Sequence, residues 1–141
     1  MEIVHHALPD GISAGEAIPI RVDRLTLAKR RWRAIAEDGQ EFGFDLEHPI
    51  EEGAAVYQTT AAVYRIAQQP EPVLEIFLGT NAAEAARLGW LIGNLHFQME
   101  IAGASIRVAD DPALRQLFER EAITFSVADR VFHPLGGGHH H

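Results

Sequence analysis

The 141-residue chain contains no cysteine. That absence removes disulfides, thiolate metal sites and cysteine nucleophiles together, so any tight metal site has to be built from nitrogen and oxygen ligands. No apolar run approaches the roughly 18 residues of a membrane span, and the first residues lack the basic-then-apolar pattern of a secretory signal. The expected setting is therefore cytoplasmic, with no membrane partner. Positive charge is scarce as well: 12 Lys and Arg stand against 20 Asp and Glu, a formal net charge of −8. This balance disfavours a nucleic-acid partner and favours cations or basic protein surfaces. Also missing are a Ser-His-Asp signature, a phosphate-binding glycine loop before a helix and a His-Glu-x-x-His helix, so no enzymatic activity is expected. What remains is an ordinary globular composition, 47% hydrophobic and 23% charged, with eight histidines. Those histidines are the residues to follow.

The pattern predicts an α+β chain in two parts. Residues 1–71 read as a small all-β domain. Ile18, Ile20 and Val22 alternate with Pro19 and Arg21, and residues 31–36 run into Asp38-Gly39 before Phe42, Phe44 and Leu46 alternate on the far side. Asp-Gly between two such runs is a hairpin signal, because a type I′ turn needs positive φ. Residues 55–57 and 62–66 give two further strands. The segment Lys29-Arg30-Arg31-Trp32-Arg33 has the look of a nucleic-acid patch, but alternation and the acidic whole oppose that reading. It reads instead as a solvated strand edge that deters aggregation, or as a docking surface for an acidic partner. Gln68-Gln69-Pro70-Glu71-Pro72 is the candidate linker.

Residues 72–132 read as β-α-β-β-α-β, the split βαβ or ferredoxin-like order. Residues 73–78 form the first strand. Asn81 is the expected N-cap of a helix with Glu84 three residues on, so apolar elsewhere that it should be largely covered, a second subunit being one candidate cover. Residues 97–101 and 105–108 are the expected hairpin, Asp111-Pro112 starts a second helix with buried Leu114, Leu117 and Phe118, and residues 123–127 form the last strand.

Gly93-Asn94-Leu95-His96 sits where the helical pattern stops and alternation begins. In a strand starting there, Phe97, Met99 and Ile101 share one face and His96 lies with Gln98 and Glu100 on the other. His96 is thus expected to meet solvent, a metal or another subunit. The chain closes on a predicted flexible tail, residues 133–141, with His133 near its start and Gly136-Gly137-Gly138-His139-His140-His141 at its end. Three glycines make a tether, and three imidazoles suit nickel, copper or zinc. A random coil between His133 and His139 spans about 13 Å, enough to visit a site on the domain surface. An appended tag or an idle surface tail would have the same sequence. His5-His6 and His48, beside Pro49, read as solvated surface residues, and His133 is placed to approach a metal with the tail.

Gly93-Asn94-Leu95-His96 at the end of the first helix of a βαββαβ domain, followed by a histidine-bearing tail, resembles the urease accessory nickel metallochaperone family. The likeness extends to the N-terminal β domain, a peptide-binding-like module in that family. The family pattern is Gly-Asn-Arg-His, so Leu95 departs from it, and Asp111-Pro112 falls where many members carry Asp-His, so the additional histidine site of those members is not expected. The resemblance implies a homodimer in which His96 and its symmetry mate share a Ni²⁺ ion, with His133, His139, His140 and His141 filling remaining positions. It also implies delivery of that ion to urease apoprotein within a complex that includes an accessory GTPase. Zn²⁺ and Cu²⁺ are competitors for imidazole ligands. Two other readings fit the residues: a protein- or peptide-binding adaptor in which the histidines are incidental, and a general zinc or copper buffer.

Overall fold

The structure is a computed structural model that describes residues 1–12 and 15–135. The chain divides into two compact units, Met1–Gln69 and Pro70–His141. The expected linker is longer than the observed one: only Gln69 and Pro70 separate β6 (Ala62–Gln68) from β7 (Glu71–Phe77), so Glu71 and Pro72 belong to a strand.

In the first unit, β1 (Glu2–Val4), β4 (Glu41–Asp45) and β3 (Arg31–Ile35) form one sheet in the order β1-β4-β3. A second sheet has the order β2-β6-β5, with β2 at Glu16–Val22 and β5 at Ala55–Gln58. Two pairings are parallel, β1 with β4 and β2 with β6. Strand β1 was not expected, because three residues are too few to display a period. One helical turn also stands where only strands were expected: α1 (Arg24–Leu27), capped by Asp23, whose carboxylate accepts from the Thr26 amide at 2.9 Å. The Asp38-Gly39 hairpin joins β3 to β4 as anticipated, but not through a type I′ turn. The Ala36 amide bonds to the Gln40 carbonyl and the Gly39 amide to the Ala36 carbonyl, and among these residues Gly39 alone has positive φ, at 93°. This is the three-residue loop with a left-handed glycine. Trp32 stacked on Phe44 at 3.8 Å, and Phe42 among Tyr57 and Tyr64, fill the core.

The second unit runs β7, α2 (Ala82–Asn94), β8 (Glu100–Ala102), β9 (Ser105–Ala109), α3 (Pro112–Arg120), β10 (Ser126–Arg130). Its sheet has the order β10-β7-β9-β8, all neighbours antiparallel. Leu88 and Ile92 of α2 and Leu114, Leu117 and Phe118 of α3 pack with Leu74, Ile76, Ile106 and Val108 in one cluster, so both helices cover the same face. The caps are as read: Asn81 accepts from the Glu84 amide at 3.1 Å, and Asp111 from the Ala113 amide at 2.8 Å with proline in the first turn. Within a single chain α2 is covered only in part. Ala82, Ala83 and Ala86 are exposed, and Trp90 is 65% exposed.

Two strands begin three residues later than alternation predicts, for one physical reason. Helix α2 closes with the His96 amide on the Gly93 carbonyl and the Phe97 amide on the Ile92 carbonyl; α3 closes with Ala122 on Glu119 and Ile123 on Phe118. Both are Schellman motifs, whose second post-helical residue folds back onto the helix. Phe97 and Met99 after α2, and Ile123 and Phe125 after α3, pack on the core outside any strand. Pairing starts at Glu100 and Ser126, which leaves Ile101 55% and Val127 52% exposed. The αL position of each motif carries a non-glycine residue, His96 with φ 63° and Ala122 with φ 55°. An L-residue there costs roughly 1–2 kcal/mol, so Ala122→Gly is expected to stabilise the unit by about 1 kcal/mol after the extra chain entropy of glycine is offset. Denaturant unfolding with an unchanged m-value would show it.

Candidate metal centre

His96 is exposed, as expected, but not because of strand parity. It occupies the left-handed position that ends α2, its amide bonded back to Gly93 at 2.9 Å, so its side chain leaves the helix end while Phe97 turns inward. Gly93, Asn94 and Leu95 around it are exposed too. Symmetry-free, this is one imidazole at a helix terminus. Among the described residues, no group of three His, Asp or Glu side chains is arranged to hold a metal ion.

The path of the C-terminal segment was not legible in the sequence. Residues 131–135 are not free. Phe132 is buried at 2% exposure, the His133 amide donates to Glu100 Oε1 at 3.2 Å, and the Leu135 amide donates to the Met99 carbonyl at 2.7 Å. Strand β10 lies at one edge of the sheet and β8 at the other, so the segment travels from one edge to the other. It ends beside Met99, three residues after His96. The His133 side chain is exposed. His139, His140 and His141 lie outside the described residues.

A charged ladder holds this arrangement on the sheet face opposite the helices. Register places Glu75 opposite Arg107 and Ser126, and Arg107 opposite Glu100. Arg107 Nε donates to Glu75 Oε2 at 2.7 Å, Arg130 donates to both Glu75 oxygens at 3.3 Å, and Arg107 Nη1 lies 3.8 Å from Glu100 Oε1. The Arg107 and Arg130 hydrogen bonds hold the Glu75 carboxyl below the usual carboxylate range. Glu100 thus receives the tail on one of its oxygens while Arg107 keeps it in place.

The other described histidines belong to the first unit. His5 Nδ1 pairs with the Asp45 carbonyl at 3.0 Å, His6 Nδ1 with the Ala7 carbonyl at 2.9 Å, and both line a cavity together with His48. The sequence separates His48 from His5 by more than forty residues, so nothing in it announces this gathering.

A family model for the C-terminal domain of the UreE urease accessory protein matches residues 71–141. Curated relatives agree along the chain. A protein of Pseudomonas fluorescens strain SBW25 named urease accessory protein UreE is 27% identical, with 100% of this chain and 87% of that protein covered. The same name belongs to an Azotobacter vinelandii protein that is 27% identical over 81% of this chain and 72% of its own, and to one from Beijerinckia indica that is 29% identical over 79% of this chain and 65% of its own.

Proposed function

Since the chain belongs to the UreE family of urease accessory proteins, we propose that it is a nickel-binding metallochaperone that delivers Ni²⁺ to the urease activation complex, with His96 pairing across a homodimer interface. Members of the family are accessory proteins, and the chain is accordingly not an enzyme. No helix among the described residues is long and apolar enough to cross a membrane. In this reading the second unit, whose sheet order β10-β7-β9-β8 supports the ferredoxin-like description, is the metal-binding and dimerisation domain, and the first is the peptide-binding-like module. Urease apoprotein and an accessory GTPase are the partners, in the cytoplasm.

One observation carries the reading. The Leu135 amide bond to Met99 places the start of the histidine tail three residues from His96. Three residues reach at most about 11 Å and four at most about 14 Å, so His139 is within chain length of His96 once the segment is pinned at Leu135. The exposed small-residue stripe of α2, Ala83 and Ala86 with Trp90, leads toward the helix end that carries His96. A twofold contact along this stripe would bring two His96 imidazoles together, and symmetry would double every donor. Imidazole from two chains with tail or His133 nitrogens gives a nitrogen-rich site for Ni²⁺, which here is cargo. Exposure serves delivery, because ligands can be exchanged one at a time, and each imidazole must be unprotonated to bind, so mild acid weakens the grip.

Titration calorimetry with Ni²⁺ on the intact chain and on a chain ending at Leu135 tests this. One tight ion per two chains is expected in both, held about tenfold more weakly after truncation. One ion per chain, lost entirely on truncation, would instead assign the metal to the tail alone.

A further inference from the structure

The first unit has a cavity of about 820 Å³ that the nickel reading leaves unused. It is built by the parallel pairing of β1 with β4, Val4 opposite Phe44. Parallel strands leave their ends on the same side, so the chain after β1, which begins with His5-His6, emerges beside Asp45 at the end of β4 and the chain after it, which runs through Glu47 to His48. The two loops meet: His5 Nδ1 is held on the Asp45 carbonyl at 3.0 Å. Three of the five described histidines thereby line one cavity, with Glu47 and Glu51 among its other walls and no lysine or arginine in its described lining.

The hydrogen bonds select a ligand chemistry. A carbonyl oxygen accepts only, so the neutral imidazoles of His5 and His6 carry their proton on Nδ1, where the Asp45 and Ala7 carbonyls receive it. Their Nε2 atoms are left with free lone pairs. This is the arrangement found around metal-ligating histidines, in which a backbone carbonyl fixes the tautomer and the ring. Asp45 itself is taken by Arg31 at 3.1 Å, which leaves His5, His6, His48 and the carboxylates of Asp10, Glu47 and Glu51 as donors. No three of these converge in the described structure. All six side chains, however, are exposed and lie on the segments that follow β1 and β4, outside any strand.

We propose that this cavity is a second metal site, one per chain, which takes a borderline divalent cation of the nickel, copper and zinc class on His5, His6 and His48. It is independent of dimer formation and of His96, so its test is run in the full-length His96→Ala chain. Cu²⁺ is the probe, as the divalent ion that nitrogen sites bind most tightly. Added below one equivalent, it is expected to broaden the amide NMR signals of Ala7, Leu46, Glu47 and Ala54. With His5→Gln, His6→Gln and His48→Gln added, the same loss of signal should need at least about tenfold more copper. Glutamine preserves polarity at exposed positions, and an unchanged amide spectrum without copper verifies that the fold survives. Broadening confined to the second unit, or identical broadening in the triple variant, overturns the site without touching the His96 reading.

Discussion

Replacing His96 with glycine is expected to stabilise the second unit by about 1 kcal/mol while weakening the tightest nickel binding at least about 100-fold. The two effects have separate origins. The residue occupies the left-handed end of α2 with φ 63°, a conformation in which an L side chain is strained and glycine is not. The same motif ends α3 at Ala122, whose side chain offers no ligand. Ala122→Gly is therefore the matched control: it should bring a similar gain in stability and leave nickel binding as it was. A strained imidazole at an exposed helix end is understandable if its direction matters, because the Schellman closure fixes where the side chain leaves the backbone. In the proposed dimer, loss of one imidazole from each chain would remove two donors from the shared site, which is why a large effect on affinity is expected from one substitution. Denaturant unfolding and nickel calorimetry on the same two variants decide it. Should His96→Gly bind nickel as tightly as the parent, His96 is not a ligand and the strain has some other cause.

The region around His96 also shows what the sequence does and does not disclose. Local chemistry was readable: Asn81 and Asp111 cap their helices, Asp38-Gly39 turns the chain, and the alternation of Phe42 and Phe44 reports a core face. Exposure of His96 was expected for the wrong reason. Alternation from Phe97 onward suggested a strand, but hydrophobic period registers burial and not hydrogen bonding. Phe97 and Met99 are half-buried against the core without pairing, and Ile101, the first of the three in a ladder, is the exposed one. Ile123 and Phe125 repeat this after α3. Long-range placement was not readable at all. The tail's attachment at Met99 and the meeting of His5 with Asp45 depend on strand order and on a parallel pair, for which no local signal exists in β1. Helix α2 looked covered because its alanines count as apolar; within one chain Leu88 and Ile92 bury and Trp90 does not.

Glu75→Gln is expected to lower the stability of the second unit by about 2 kcal/mol at neutral pH, because it removes the charged acceptor of two arginines and leaves them facing each other. The Glu75 and Arg107 side chains are 17% and 22% exposed, so solvent screens this pair only in part; Arg130, at 49%, contributes less. The pH dependence has a definite sign. Arg107 first, then Arg130, depress the folded-state pKa of Glu75. A group with a depressed folded pKa adds stability that is complete above its unfolded value, about 4.3 for glutamate, and that is lost as pH falls through the folded value. The parent and Glu75→Gln chains should therefore differ most above about pH 5 and converge as acid protonates the carboxyl. A difference that persists undiminished in strong acid would mean that shape, not charge, is what Glu75 supplies. The same substitution reaches the candidate metal centre through Arg107, which holds Glu100 at 3.8 Å, while Glu100 receives the His133 amide at 3.2 Å. Freed from Glu75, Arg107 can draw Glu100 away from that amide and loosen the segment that brings the histidine tail to Met99. Under the tail-assisted reading, Glu75→Gln at neutral pH should thus reproduce part of the nickel affinity loss caused by truncation at Leu135, and combining the two changes should add little to truncation alone.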